Sequence, residues 1–97
     1  MSTRTYSADT LRAQEEAHEA LDRFLRLVDR DVDRWTTEDG GNPDPDKSVS
    51  DSHHLTAWAV ISEYQDFGAP GNPVNVTGQS AGTTWTHRSG LFWAAIR

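Results

Sequence analysis

The sequence predicts an α+β fold in a single small domain, 1–97: a long N-terminal α-helix, a flexible linker, then a β-hairpin with a short C-terminal helix. Three observations predict it. Residues 7–36 place apolar side chains at helical spacing with no Gly or Pro among them. Residues 37–52, TEDGGNPDPDKSVSDS, are rich in turn and breaker residues and nearly devoid of apolar ones. From residue 54 onward, β-branched and aromatic residues recur between Gly- and Pro-containing turns.

The helix is the organising element. Leu11, His18, Leu25 and Val32 recur every seven residues, as do Gln14, Leu21, Val28 and Trp35. Together they form the a and d positions of four heptads. Ala17, Ala20, Phe24 and Leu27 widen the stripe beyond a strict two-position seam, which suits a globular core or bundle as well as a two-stranded coiled coil. Ser7 or Asp9 can cap its start by accepting unpaired amide protons of the first turn. Glu19 with Arg23, and Asp22 with Arg26, stand four apart in the favourable order. Thr36, Thr37 and the Gly40–Gly41 pair end the helix.

Gln14 and His18 weaken the first half of the seam, so the apolar load falls on Leu21, Phe24, Leu25, Leu27, Val28, Val32 and Trp35. Burying those side chains contributes on the order of 10 kcal/mol gross. Ordering the chain offsets most of it. A lone helix cannot bury that stripe, so a partner is expected, in this chain or in another copy.

Residues 37–52 read as an exposed, partly mobile linker. Residues 54–67 fit two periods. As a helix, Leu55, Trp58, Ile61 and Gln65 align; as a strand, Trp58, Val60, Ser62 and Tyr64 share a face. Trp, Val, Ile and Tyr favour the pleated state, and strand is the reading adopted. Residues 68–73 form a turn and 74–77 a returning strand, closing a hairpin with a long loop. After a second turn at 78–82, residues 84–96 read as a helix capped by Thr84. Trp58, Trp85, Phe92 and Trp93 are the expected core against which the long helix packs.

The order of these C-terminal elements is a Trp-containing strand ending in an acidic turn, a short polar return, and then His87-Arg88-x-Gly90-Leu91-Phe92-x-x-Ala95. Residues 55–67 and 86–95 carry it, and it resembles small, functionally uncharacterised proteins encoded by actinobacterial phages. The resemblance covers roughly the last half of the chain. It implies a phage or prophage origin and an α+β fold, and it supplies no activity and no functional residues. Eight of the nine basic residues are Arg, a bias that fits a GC-rich coding sequence.

Composition excludes several classes. There is no cysteine, hence no disulfide or thiolate metal site. No apolar run approaches the ~20 residues that span a bilayer, and the N-terminus carries no apolar secretion signal, so a cytoplasmic protein of a bacterial host cell is expected. Residues 1–51 hold 13 acidic and 7 basic side chains, whereas 52–97 hold 2 of each. The whole net charge of −6 therefore belongs to the helix and linker, which argues against direct nucleic-acid binding.

Four motifs touch on chemistry. Gly78-Gln79-Ser80-Ala81-Gly82 matches the G-x-S-x-G nucleophile elbow, but no acid follows Ser80 and the chain is too short for that fold. Asp29, Asp31 and Asp33 begin like a calcium loop, yet Arg34 replaces the required Gly and Gly40 the terminal Glu. His18, His53, His54 and His87 show no metal-ligand spacing. Asn75-Val76-Thr77 is a glycosylation sequon, expected to be silent without a secretion signal. No catalytic, cofactor or metal residue is assigned.

The expected function is a non-catalytic protein–protein interaction module, a phage-encoded accessory factor acting on a host or phage protein. Self-association, most simply as a homodimer, is expected through the Leu21–Trp35 half of the helix. The alternative is an acidic decoy: Glu15, Glu16, Glu19, Asp22, Asp29, Asp31 and Asp33 would mimic phosphates and block a nuclease or DNA-binding protein. Arginines 23, 26, 30 and 34 break that field.

Overall fold

The computed structural model describes residues 5–83 and 85–95, and the backbone alone of 85–87 and 95. The architecture is α+β: helix α1 (Ala8–Glu38), a 3-10 turn (Pro45–Lys47), strands β1 (Ala59–Tyr64) and β2 (Val74–Gln79), and helix α2 (Trp85–Ala95). The chain divides into two compact units, Met1–Leu55 and Thr56–Arg97.

In the first unit, α1 starts at Ser7, whose Oγ accepts from the Thr10 backbone N–H at 3.3 Å. That settles the cap on Ser7 in preference to Asp9. The helix runs to Glu38, two residues past its expected end. Thr36 and Thr37 do not break it, because their hydroxyls donate back to the Val32 and Asp33 carbonyls at 2.8 and 3.1 Å. Termination comes from Gly40, at φ +88, a left-handed conformation that favours glycine. Gly40 N–H donates to Thr37 O and Gly41 N–H to Thr36 O, at 3.0 and 2.8 Å. This paired closure is a Schellman motif, and it satisfies carbonyls that the helix end would otherwise leave open.

The segment after that reversal is mostly exposed, as expected, and it also returns along α1. Asp44 caps the 3-10 turn by accepting from Asp46 N–H at 3.0 Å. Residues 44–53, here the strap, are then held by α1 at three levels. Ser48 Oγ donates to the Asp33 carboxylate at 3.0 Å, Val49 N–H donates to Asp29 Oδ2 at 2.9 Å, and Arg26 grips Ser50 and His53.

In the second unit, the ambiguous stretch 54–67 forms a strand only over Ala59–Tyr64, shorter than expected, and no helix. β1 and β2 pair antiparallel in a register that sets Ile61 opposite Thr77 and Tyr64 opposite Val74. β2 continues two residues beyond the expected 74–77. Asp66 Oδ1 holds the long connection by accepting from Gly68 and Ala69 N–H at 2.9 and 3.0 Å. The C-terminal helix forms as expected; the Thr84 cap lies outside the described residues.

The core of this unit is Trp58, only 8% exposed. Phe92 is half-buried and Trp93 is 64% exposed, so of the expected aromatic core only Trp58 is fully enclosed; the Trp85 side chain lies outside the described residues. Trp58 stands directly before β1, where Ser80 continues the ladder. Ser80 N–H donates to Trp58 O and Trp58 N–H donates to Ser80 Oγ, both at 2.9 Å. The hydroxyl stands in for the Ser80 carbonyl, which instead accepts from Thr83 N–H at 3.2 Å.

Candidate interaction surface

Helix α1 presents two stripes. One is polar: Asp22, Arg26, Asp29 and Asp33, spaced four, three and four apart, lie on one line of the helix. This line carries the strap. Arg26 is its centre, with Nε donating to Asp22 Oδ1 at 3.0 Å, Nη1 to Ser50 O at 2.9 Å and Nη2 to His53 O at 2.5 Å. The planar guanidinium serves three acceptors at fixed angles, which an ammonium could not do with the same geometry. Beyond it, a local turn orients the two carbonyls. His53 N–H donates to Ser50 O at 3.0 Å, and Ser50 N–H donates to His53 Nδ1 at 2.9 Å. Because Nδ1 accepts, the neutral ring carries its proton on Nε2.

The other stripe is apolar. Its members are Leu21, Phe24, Leu25, Leu27, Val28, Val32 and Trp35, centred roughly 140° around the helix from the strap at 100° per residue. α1 contains no buried residue. Leu21 is half-buried, and the other six range from 37% exposed at Val28 to 60% at Phe24. Leu11 prolongs the stripe towards the N-terminus and is exposed as well. The strap covers the flank bearing Asp22 and Asp29 and leaves the apolar face uncovered within this unit. Burial of the seven side chains, the energetic expectation from sequence, is therefore not met within Met1–Leu55.

Charge borders this face unevenly. Arg23 and Arg30, seven residues apart, stand on the side of the helix turned away from the a and d positions, with Arg34 next to them. Arg34 is paired with Asp31 at 3.3 Å and Glu38 at 3.7 Å; the expected Glu19–Arg23 pair is not among the ion pairs of the described residues, whereas Asp22–Arg26 is. On the strap flank stand Asp22 and Asp29, with Asp44, Asp46 and Asp51 of the strap itself.

The other motifs take structural places. Ser80 of the G-x-S-x-G match is 3% exposed, and its Oγ bonds to Trp58 N–H, lies 3.3 Å from Trp58 O and contacts Thr83 Oγ1. Gly82, at φ +75, supplies the left-handed residue of that turn. Asp29 and Asp33 of the calcium-like run hold the strap. Among the described residues, no three His, Asp or Glu side chains cluster so as to hold a metal ion, and no helix is long and apolar enough to cross a membrane. The His87 side chain lies outside the described residues.

The polar stripe is the feature that sequence reading missed. Its signal was present as the heptad-like spacing of Asp22, Arg26, Asp29 and Asp33, opposite a segment of short polar residues. Comparison with protein-family models, curated proteins and solved structures finds no match to this chain.

Proposed function

We propose that this protein is a non-catalytic interaction module whose contact face is the apolar stripe of α1, formed by Leu21, Phe24, Leu25, Leu27, Val28, Val32 and Trp35. One observation carries the reading: a 31-residue helix with no buried residue keeps its large apolar side chains on one open face while its polar flank is engaged by the strap. Exposed apolar patches of more than a few hundred Å² are uncommon on monomeric proteins and mark contact sites. The resemblance of the C-terminal half extends the proposal to a phage-encoded accessory factor acting on a host or phage protein.

The phosphate-mimic reading draws less support. A decoy needs carboxylates that project an unbroken negative field. Asp22 is paired with Arg26, Asp31 with Arg34, and Asp29 and Asp33 accept hydrogen bonds from the strap.

Capture at about 0.5 M salt, where exposed charges are screened within ~4 Å, separates the two readings. Wild type and Leu25→Asp are compared side by side. A bound protein retained by wild type at that salt and lost by Leu25→Asp is the expected result. Binding that vanishes at high salt, or an identical bound set for both forms, overturns the proposal.

A further inference from the structure

We infer that the sheet continues from β2 into a second copy of the chain. Two β2 strands pair antiparallel about a two-fold axis at Val76, and two hairpins become one four-stranded sheet. This pairing is separate from the contact face on α1 and leaves that face to a different partner.

The phase of the hairpin comes first. Trp58 and Ser80 stand opposite each other one step beyond the Ala59–Gln79 pair, and Ser80 N–H donates to Trp58 O. Hydrogen-bonded and non-hydrogen-bonded pairs alternate along an antiparallel ladder. The bonded pairs are therefore Val60–Gly78, Ser62–Val76 and Tyr64–Val74. Asn75 and Thr77 lie between them and turn their backbone N–H and C=O away from β1. The sheet has two strands, and among the described residues no other backbone group bonds those of Asn75 and Thr77. What they accept is an extended strand.

Folded proteins block such edges with charge, proline, a bulge or a covering element. β1 carries Glu63, is half-buried at Ala59 and Ser62, and contacts α2. β2 has none of these protections. Its sequence VNVTGQ holds no charge and no proline, its register with β1 is unbroken, and Val74 to Thr77 are all exposed.

Phase and shape select the second copy. An incoming strand must present its outward groups in the same phase, and another β2 does so. With the axis at Val76, Asn75 faces Thr77 of the second copy, and Thr77 faces its Asn75; each pair exchanges two backbone hydrogen bonds. Pro73, the next outward position, has no N–H and ends the ladder. Val76 meets Val76 of the second copy at a non-hydrogen-bonded position, about 4.5 Å apart at Cα. Such β-branched cross-strand pairs stabilise sheets, and no like charges oppose the approach. Val74 falls opposite Gly78 of the second copy, whose missing side chain leaves it room. On that face Val60, Tyr64, Val74 and Val76 are 40, 63, 61 and 53% exposed. Pairing joins the two sets into one apolar surface, with Tyr64 and Val74 of one copy in line with Gly78 and Val60 of the other.

Sedimentation of the full chain from about 10 μM to 1 mM tests the pairing by mass action. Twice the 10.8 kDa chain mass is expected at the upper end. Thr77→Pro removes an outward N–H and no bond of the hairpin itself, and should raise the dissociation constant at least about tenfold. Val76→Lys sets like charges face to face and should do the same. Near-ultraviolet circular dichroism of Trp58 checks that each variant keeps its hairpin. In a chain free of cysteine, mild oxidation should link Val76→Cys into a covalent dimer far faster than Ile61→Cys, which is similarly exposed but lies on the outer strand. A monomer at every concentration overturns the inference. So does a dimer that Val76→Lys leaves intact, or one whose Val76→Cys form links no faster than Ile61→Cys. Leu25→Asp separates this pairing from the contact face. A dimer that survives Leu25→Asp and is lost on Val76→Lys is the expected result, whereas one lost on Leu25→Asp alone overturns strand pairing and leaves the contact face standing.

Discussion

In Thr56–Arg97 a buried indole and two buried hydroxyls sit where strand meets turn, whereas in Met1–Leu55 no residue of the long helix is buried and the returning strap is held by surface hydrogen bonds. The difference lies in what each sequence had to bury. The C-terminal unit has few residues but large ones, and enclosing Trp58 removes much apolar area at a single position. The N-terminal unit has more apolar residues spread along one side of a rod about 46 Å long, taking 1.5 Å per residue. A strap of Asp, Ser, Pro and Lys has little with which to cover them. It binds the polar stripe instead. One unit is closed by hydrophobic burial, and the other is closed by polar stitching that leaves its apolar side exposed.

That contrast can be broken most severely at Trp58. Trp58→Ala should cost about 3–5 kcal/mol, the usual range for a large buried aromatic. Near-ultraviolet circular dichroism and urea unfolding should show the hairpin unit lost while most helical signal at 222 nm survives. Loss of the whole helical signal would mean that α1 depends on the second unit. Ser80→Ala comes next. It strips the acceptor from Trp58 N–H in a buried place and should cost about 1–3 kcal/mol. Amide exchange at Trp58 should accelerate accordingly, and unchanged exchange would contradict the role assigned to the hydroxyl.

The N-terminal unit should respond differently. Arg26→Ala removes the donor to Ser50 and His53 and should cost about 1 kcal/mol, discounted because the site is partly solvated. Its signature is local: faster amide exchange at Val49 with helix content unchanged. Arg26→Lys should fall between, keeping the charge and losing the fork. Gly40→Ala forces a Cβ into left-handed backbone and should destabilise by about 1 kcal/mol, seen as fraying of the last helical turn by nuclear magnetic resonance. Ser7→Ala should give the smallest change, somewhat under 1 kcal/mol, confined to amides of the first turn.

The sequence alone determined the elements. Heptad spacing without a breaker determined α1, the Gly40–Gly41 pair its end, and the Trp–Val–Ile–Tyr run with its Gly- and Pro-containing turn the hairpin. These are local signals: backbone dihedral preferences and side-chain periodicity act within a few residues of chain. It also determined which side chains of α1 form the apolar stripe, because a helical period assigns each residue to a side whatever the surroundings.

Only the tertiary structure decided what those sides meet. Nothing local in residues 44–53 says that Val49 will find Asp29 or that Ser48 will find Asp33. Those contacts join residues 15 to 20 apart and depend on the direction in which the chain leaves Gly40. Nor could the G-x-S-x-G string reveal that Ser80 is enclosed by Trp58 from 22 residues earlier. Burial is a property of what packs around a residue, and that is set by long-range closure. Within Thr56–Arg97 it enclosed Trp58, and within Met1–Leu55 it left the apolar side of α1 open.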